Sequence, residues 1–147
     1  MMIRRMALAA VFVAGLAGLV GADQKLQLKD APAAVQKGVA DNLKGATLKG
    51  LSKEIEGGKT TYEAETTLDG RSRDFVLDAA GRLLELEEEM TTDAVPAAVK
   101  AALEARGRIV KVESVTRGTT VTYEGTVEKG GRKSLVAVDA SGKRLKG

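Results

Sequence analysis

The stretch T-T-Y-E-A-E-T at residues 60–66 decides the fold, because its side chains alternate and its pattern returns later in the chain. The counterpart is T-V-T-Y-E-G-T at residues 120–126, in which the Tyr-Glu pair is displaced by 61 positions. Between Tyr62 and Leu84, 8 of 23 residues are identical to those 61 positions further on, where ordinary composition would give roughly 2. Alternation of this kind predicts a strand with one buried face. The chain therefore predicts two copies of one strand-rich unit.

A short helix is predicted ahead of each copy. Pro32-Ala33-Ala34-Val35 recurs as Pro96-Ala97-Ala98-Val99, displaced by 64 positions. Proline is favoured in the first turn of a helix, and Asp30 and Asp93 are placed to act as N-caps. Helices this short are not stable alone in water. Each is therefore expected to pack its apolar side on a sheet.

Three or four strands are predicted after each helix. The first covers Thr47–Glu56 in one copy and Ile109–Thr116 in the other, and the Tyr-Glu strand follows. Asp69-Gly70 and Gly130-Gly131 are typical two-residue hairpin turns. A short last strand is expected near Leu83–Glu88 and near Arg144–Lys146.

These elements predict an α+β fold made of two tandem repeats. Each repeat would be a helix followed by a three- or four-stranded antiparallel meander, with the helices on one face of the sheet. Repeat 1 is assigned to residues 23–90 and repeat 2 to residues 91–147. An acidic, polar linker over Glu87–Asp93 would join them.

The N-terminal 22 residues read as a signal peptide. Arg4 and Arg5 precede an uninterrupted small and apolar stretch, Ala7–Val20, and cleavage is expected after Ala22. The stretch is shorter than the roughly 20 residues that a membrane span needs, although an uncleaved anchor is the alternative. The expected location is therefore periplasmic or secreted, with no stable membrane span after cleavage.

The composition excludes several classes of function. The chain contains no Cys and no His, so thiol and imidazole nucleophiles, the commonest general base and the usual zinc ligands are missing. Without Arg4 and Arg5, 21 basic residues stand against 20 acidic ones, and the charges are interleaved. We therefore expect a protein that is not an enzyme, has no cofactor and no metal site, and binds no nucleic acid.

The order of these motifs resembles the PepSY-like domain family, in its beta-lactamase-inhibitor-like subgroup and in two tandem copies. The Tyr-Glu strand and the turns D-A-A-G at residues 78–81 and D-A-S-G at residues 139–142 carry the resemblance. The family is similar in fold to tandem-repeat inhibitors of secreted beta-lactamases, whose concave sheet face docks on the enzyme. The resemblance implies an exported binding or inhibitory module without catalytic residues.

The sheet face without helices is the candidate binding surface. Strand alternation should place polar, mostly acidic side chains there, and such a surface can dock a protein partner through charge. An ordinary solvated sheet face is the equal alternative. The candidate residues are Glu63, Glu65, Thr67, Val76, Glu124, Thr126, Glu128 and Leu135.

The predicted function is an exported, non-enzymatic binding protein that restrains a secreted or periplasmic hydrolase of peptidase or beta-lactamase type. The alternative is an envelope protein that binds a small ligand or a divalent cation through carboxylates on the sheet and in the turns at Asp78 and Asp139. An Asp that opens a turn by accepting hydrogen bonds from its own backbone is the simpler explanation of those two residues. The run of Glu85, Glu87, Glu88 and Glu89 is interpreted as a solvated strand end and linker, and attraction of a basic partner or weak binding of a divalent ion is the alternative.

Overall fold

Eight antiparallel strands form one continuous sheet in which each strand lies beside the next one in the chain. The computed structural model describes residues 23–146, and the predicted signal peptide lies outside the described residues. The strands are β1 (Gln24–Leu26), β2 (Thr47–Glu56), β3 (Lys59–Leu68), β4 (Arg71–Asp78), β5 (Leu83–Met90), β6 (Arg108–Arg117), β7 (Thr120–Lys129) and β8 (Arg132–Asp139). The sheet is therefore a meander with β1 at one edge and β8 at the other.

Two short helices connect strands that are neighbours in this sheet. Helix α1 (Ala33–Leu43) joins β1 to β2, and helix α2 (Ala97–Glu104) joins β5 to β6. Each helix begins after a proline in extended conformation, Pro32 or Pro96, and neither N-cap makes a side-chain hydrogen bond. The predicted aspartate caps are wrong, because Asp30 and Asp93 lie in 3-10 turns upstream. Packing on the sheet must therefore stabilise helices that are only 11 and 8 residues long.

Both helices lie on the same face of the sheet. Residues directly opposite each other in an antiparallel pair point to the same side. Phe75, beneath α1, is opposite Leu86 on β5. Met90 follows Leu86 by four residues on the same strand and therefore points to the same side. Met90 is opposite Val112, which lies beneath α2. The core accordingly forms two clusters under one layer of helix. The first contains Val35, Val39, Leu51, Tyr62, Ala64, Phe75 and Leu77, and the second contains Val95, Val99, Leu103, Val112, Val127, Val136 and Val138.

The predicted architecture of two tandem helix-plus-meander repeats is wrong. One eight-stranded sheet runs through the whole described part of the chain, and β5 pairs with β4 on one side and with β6 on the other. The physical reason is that a free β5 edge would leave a row of backbone N–H and C=O groups without partners. Pairing with β6 satisfies them, so no boundary between two sheets forms.

Three smaller expectations also change. The predicted linker Glu87–Asp93 is wrong over its first part, because β5 continues to Met90. The strand expected near Arg144–Lys146 is only a single bridge between Val138 and Arg144. The strand β1, which precedes α1 and pairs with β2, was not expected at all. The first strand predicted at Thr47–Glu56 is confirmed as β2.

The turns after β4 and β8 contact the two helices through glycine. Gly81 has a φ of +78°, and its Cα faces the carbonyl of Ala34 in α1 so closely that a Cβ atom would overlap it. Gly142 has a φ of +83°, and a Cβ there would lie 2.5 Å from the carbonyl oxygen of Ala98 in α2. These contacts set how closely each helix approaches the sheet.

Candidate functional site

The pairing register places all eight predicted site residues on the face opposite the helices, which we call the open face. Glu63 is opposite Val76, and Thr126 is opposite Leu135. Their chain neighbours, such as Tyr62 and Val127, point into the two core clusters. The other candidates follow the same alternation, and they are Glu65, Thr67, Glu124 and Glu128. The eight residues thus share one face of the sheet. Their role as residues that contact a partner stays a prediction.

Carboxylates from five neighbouring strands meet near the middle of the open face. We call this set the acidic stripe. It consists of Glu63 and Glu65 on β3, Asp74 on β4, Glu85, Glu87 and Glu89 on β5, Glu113 on β6 and Glu124 on β7. Because strands in a sheet lie only about 4.8 Å apart, side chains in one cross-strand row are close neighbours. The stripe therefore concentrates acidic side chains on a surface that neither α1 nor α2 covers.

Two cationic side chains of β6 form ion pairs with members of the stripe. Arg117 donates from Nε to Glu85 Oε2 at 2.5 Å, and Glu85 is only 8 % exposed. Lys111 forms an ion pair with Glu113. The carboxylates of Glu63 and Glu124 make no hydrogen bond or ion pair with any residue in the 23–146 range.

Further hydrogen bonds hold other members of the stripe in place. The backbone N–H and the hydroxyl of Ser72 donate to Glu89, and the same hydroxyl lies 3.2 Å from Glu113. The buried Asp74 accepts a hydrogen bond from the backbone N–H of Thr66 at 2.9 Å. These bonds order the stripe before any partner arrives, which lowers the entropy cost of binding.

Burial and mutual repulsion make parts of the stripe hold protons near neutral pH. Burial, followed by the charges of Asp74 and Glu65, raises the pKa of Glu63 to about 7. Burial and a hydrogen bond with Glu85 raise the pKa of Glu87 well above its usual range. Burial also raises the pKa of Glu124, against the opposing effect of Arg117. A cation brought to this surface would favour the ionised carboxylates and release protons.

Stability should therefore fall as pH rises. A carboxyl whose pKa is raised by folding stabilises the fold fully below its unfolded pKa, here 4.5, and this contribution is lost as the pH passes through the folded pKa. We expect the melting temperature to decrease between about pH 5 and about pH 8. Glu87→Gln should flatten this dependence, because the amide keeps the neutral shape of the protonated acid. Thermal unfolding across this pH range is the measurement, and the exposed Glu56→Gln variant is the control. An equal change of melting temperature with pH in Glu87→Gln and in wild type would contradict the raised pKa of Glu87.

The predicted site does not include the β5 carboxylates, for which attraction of a basic partner or of a divalent ion was only the alternative to a solvated strand end. Glu85, Glu87 and Glu89 were read as a solvated strand end, whereas β5 is a central strand with its odd-numbered glutamates on the open face. The alternation of Leu86 and Met90 with these glutamates was the available signal. It was obscured by Glu88, which breaks the apolar row on the helix side and lies near Arg73.

The two aspartate turns are structural, as the turn interpretation predicted. Asp78 Oδ1 accepts hydrogen bonds from the backbone N–H groups of Ala80 and Arg82, and Asp139 does the same with Ser141 and Lys143. The hydrogen bonds from Arg82 lower the pKa of Asp78, and the Ser141 hydroxyl is the largest cause of the lowered pKa of Asp139. Between Asp23 and Lys146, no group of three or more acidic side chains is arranged to hold a metal ion. Neither of the two helices formed by this part of the chain is long and apolar enough to cross a membrane.

Comparison with known proteins gives matches in structure alone. No protein-family model and no curated protein sequence matches the chain. A protein from Bacteroides eggerthii that is provisionally assigned to the periplasm superposes with a TM-score of 0.64 and 21 % identity over 79 % of this chain and 86 % of its own. A DUF2874 family protein from Bacteroides uniformis gives a TM-score of 0.63 and 19 % identity over 79 % of this chain and 87 % of its own. A BLIP-like protein from Bacteroides fragilis gives a TM-score of 0.58 and 23 % identity over 79 % of this chain and 84 % of its own. The chain thus shares its fold with DUF2874 and BLIP-like proteins.

Proposed function

We propose that this chain is an exported, non-enzymatic protein that docks on a protein partner through its open face. The partner is a hydrolase of peptidase or beta-lactamase type in the periplasm or outside the cell, whose activity the docked sheet restrains. The observation that carries the proposal is the acidic stripe, which is ordered by hydrogen bonds of the fold and is covered by neither α1 nor α2.

The chemistry of the stripe suits a basic patch beside an active site. Opposite charges steer association and select the correct partner, and they become stronger when water is excluded from the contact. Val115 lies within the stripe and is only 1 % exposed, since Glu113 and Arg117 flank it on β6. The apolar contact area at the centre is therefore small. The partner is expected to contribute Lys or Arg rather than an apolar anchor.

Two further observations support an exported binding protein. The signal segment predicted at residues 1–22 would direct the chain across a membrane, and one structural neighbour is provisionally assigned to the periplasm. The absence of Cys and His from the sequence leaves few groups for acid-base or nucleophilic chemistry. The BLIP-like neighbour supports the inhibitor reading through its fold, as does the resemblance to the PepSY-like family.

The test starts with affinity capture and ends with an activity assay. The purified protein is used as bait for envelope and secreted fractions of its source cell at moderate salt, and captured proteins are identified by mass. The expected result is one enriched hydrolase, whose activity falls when the two pure proteins are mixed. Capture of a hydrolase that retains full activity in the mixture would contradict restraint. An empty capture would contradict docking on a protein.

A further inference from the structure

A second surface feature lies at the opposite side of the sheet from the acidic stripe. A cavity of about 430 Å³ opens on the helix face at the β8 edge, below the C-terminal end of α2. Cationic side chains from four separate segments line it, together with one hydroxyl and a small apolar floor. The polar lining residues are Arg106, Lys129, Arg132, Ser134 and Arg144.

The register explains why these cations converge. Lys129 and Arg132 are opposite each other across the β7–β8 hairpin and therefore point to the same side. Ser134 is opposite the buried Val127, so this side is the helix face. Arg144 reaches the same place because its segment folds back and bridges to Val138. Arg106 follows directly after α2, where the chain turns down to the sheet.

The cavity exists because the sheet ends at β8. In the N-terminal half, β5 pairs along β4 from Arg73 to Leu77 and covers the equivalent edge. Arg73 also donates to the carbonyl oxygen of Asn42 at 2.8 Å, at the end of α1. The residue 61 positions after Arg73 is Ser134, which is too short to reach α2. No strand and no long side chain therefore fills this space.

The charge in the cavity is not neutralised by the fold. Among residues 23–146, no carboxylate lines it, and the exposed side chains of the four cations make no hydrogen bond or ion pair. Guanidinium groups bind phosphate oxygens in a two-pronged geometry, and a hydroxyl adds a neutral donor. The volume is within the range of about 300–1,000 Å³ that ligand sites usually have. A monovalent anion would leave most of the four charges uncompensated.

We propose that this cavity binds a phosphate-bearing anion with two or more negative charges. Two sources supply this chemistry: a soluble phosphate compound and the phosphorylated headgroups of a lipid surface. The inference is independent of the docking partner, since the cavity and the acidic stripe lie on opposite faces of the sheet.

The test uses inorganic pyrophosphate as the soluble probe. Calorimetric titration at low ionic strength should give saturable binding to the wild-type protein, weakened by added salt. Arg132→Gln combined with Arg144→Gln should raise the dissociation constant about tenfold or more, because each removes a charge-assisted hydrogen bond. Lys59→Gln combined with Arg71→Gln is the matched control, with the same change in net charge at exposed positions away from the cavity. Thermal unfolding of both variants checks that they are folded.

A second arm separates the two sources. Vesicles of phosphatidylcholine with and without cardiolipin, whose headgroup carries two phosphates, are sedimented with the protein. Pyrophosphate binding without sedimentation supports a soluble phosphate ligand, and sedimentation only with cardiolipin, lost in the Arg132/Arg144 variant, supports a lipid headgroup. The proposal is overturned if neither probe binds, or if the control loses as much binding as the Arg132/Arg144 variant. In the wild-type protein, pyrophosphate should also shift the backbone NMR signals of Arg132 and Ser134; shifts confined to other regions would overturn it as well.

Discussion

Gly81→Ala is expected to lower the free energy of unfolding by about 3 kcal/mol or more, the largest loss of stability among the single changes considered. Gly81 adopts a φ of +78°, in the left-handed region that costs other residues about 1–2 kcal/mol. An added Cβ would also overlap the carbonyl of Ala34 in α1. Because this obstacle is helix backbone, relief requires moving α1 off the sheet, and overpacking of this kind costs about 1–3 kcal/mol.

A matched substitution separates the two contributions. Gly70 has a φ of +77°, and nothing lies within 4 Å of the position that its Cβ would occupy. Gly70→Ala should therefore show only the conformational cost of about 1–2 kcal/mol. Urea unfolding of both variants followed by circular dichroism gives the comparison. Equal losses in the two variants would mean that the contact between the turn and α1 does not hold the helix in place.

Charge reversal in the acidic stripe is expected to abolish binding of the proposed partner. In the variant Glu63→Lys, Glu65→Lys and Glu124→Lys, three attractive positions on β3 and β7 become repulsive. Close interfacial charge pairs contribute about 1.5–7 kcal/mol each by double-mutant cycles. The dissociation constant for the captured hydrolase should rise by about 100-fold or more.

The matched control carries the same change in charge outside the open face, at Asp30, Asp41 and Glu104, all exposed. Surface plasmon resonance with the captured hydrolase, at low and at moderate salt, measures both variants. The control should retain wild-type affinity at moderate salt, where long-range charge effects are screened. Comparable weakening in both variants would reassign the effect to net charge and remove the open face as the docking surface.

Local patterns in the sequence determined much of the secondary structure. Strand alternation around Tyr62 and Tyr123 placed the two rings on the helix side, and Tyr62 lies in the first core cluster while Tyr123 packs against the second. The turns at Asp78 and Asp139 follow from hydrogen bonds within four residues. Such features depend on neighbours in the chain, so sequence alone is sufficient to predict them.

The tertiary structure alone decided how these pieces share one sheet. Pairing of β5 with β6 depends on backbone groups 22 to 30 residues apart, from Met90 and Val112 at one end to Leu86 and Thr116 at the other. That pairing turned a run of glutamates read as linker into the centre of the acidic stripe. The end of the sheet at β8 likewise created the cationic cavity, because no later strand covers Ser134. Charge and alternation are properties of single segments, whereas both candidate surfaces arise only where distant segments meet.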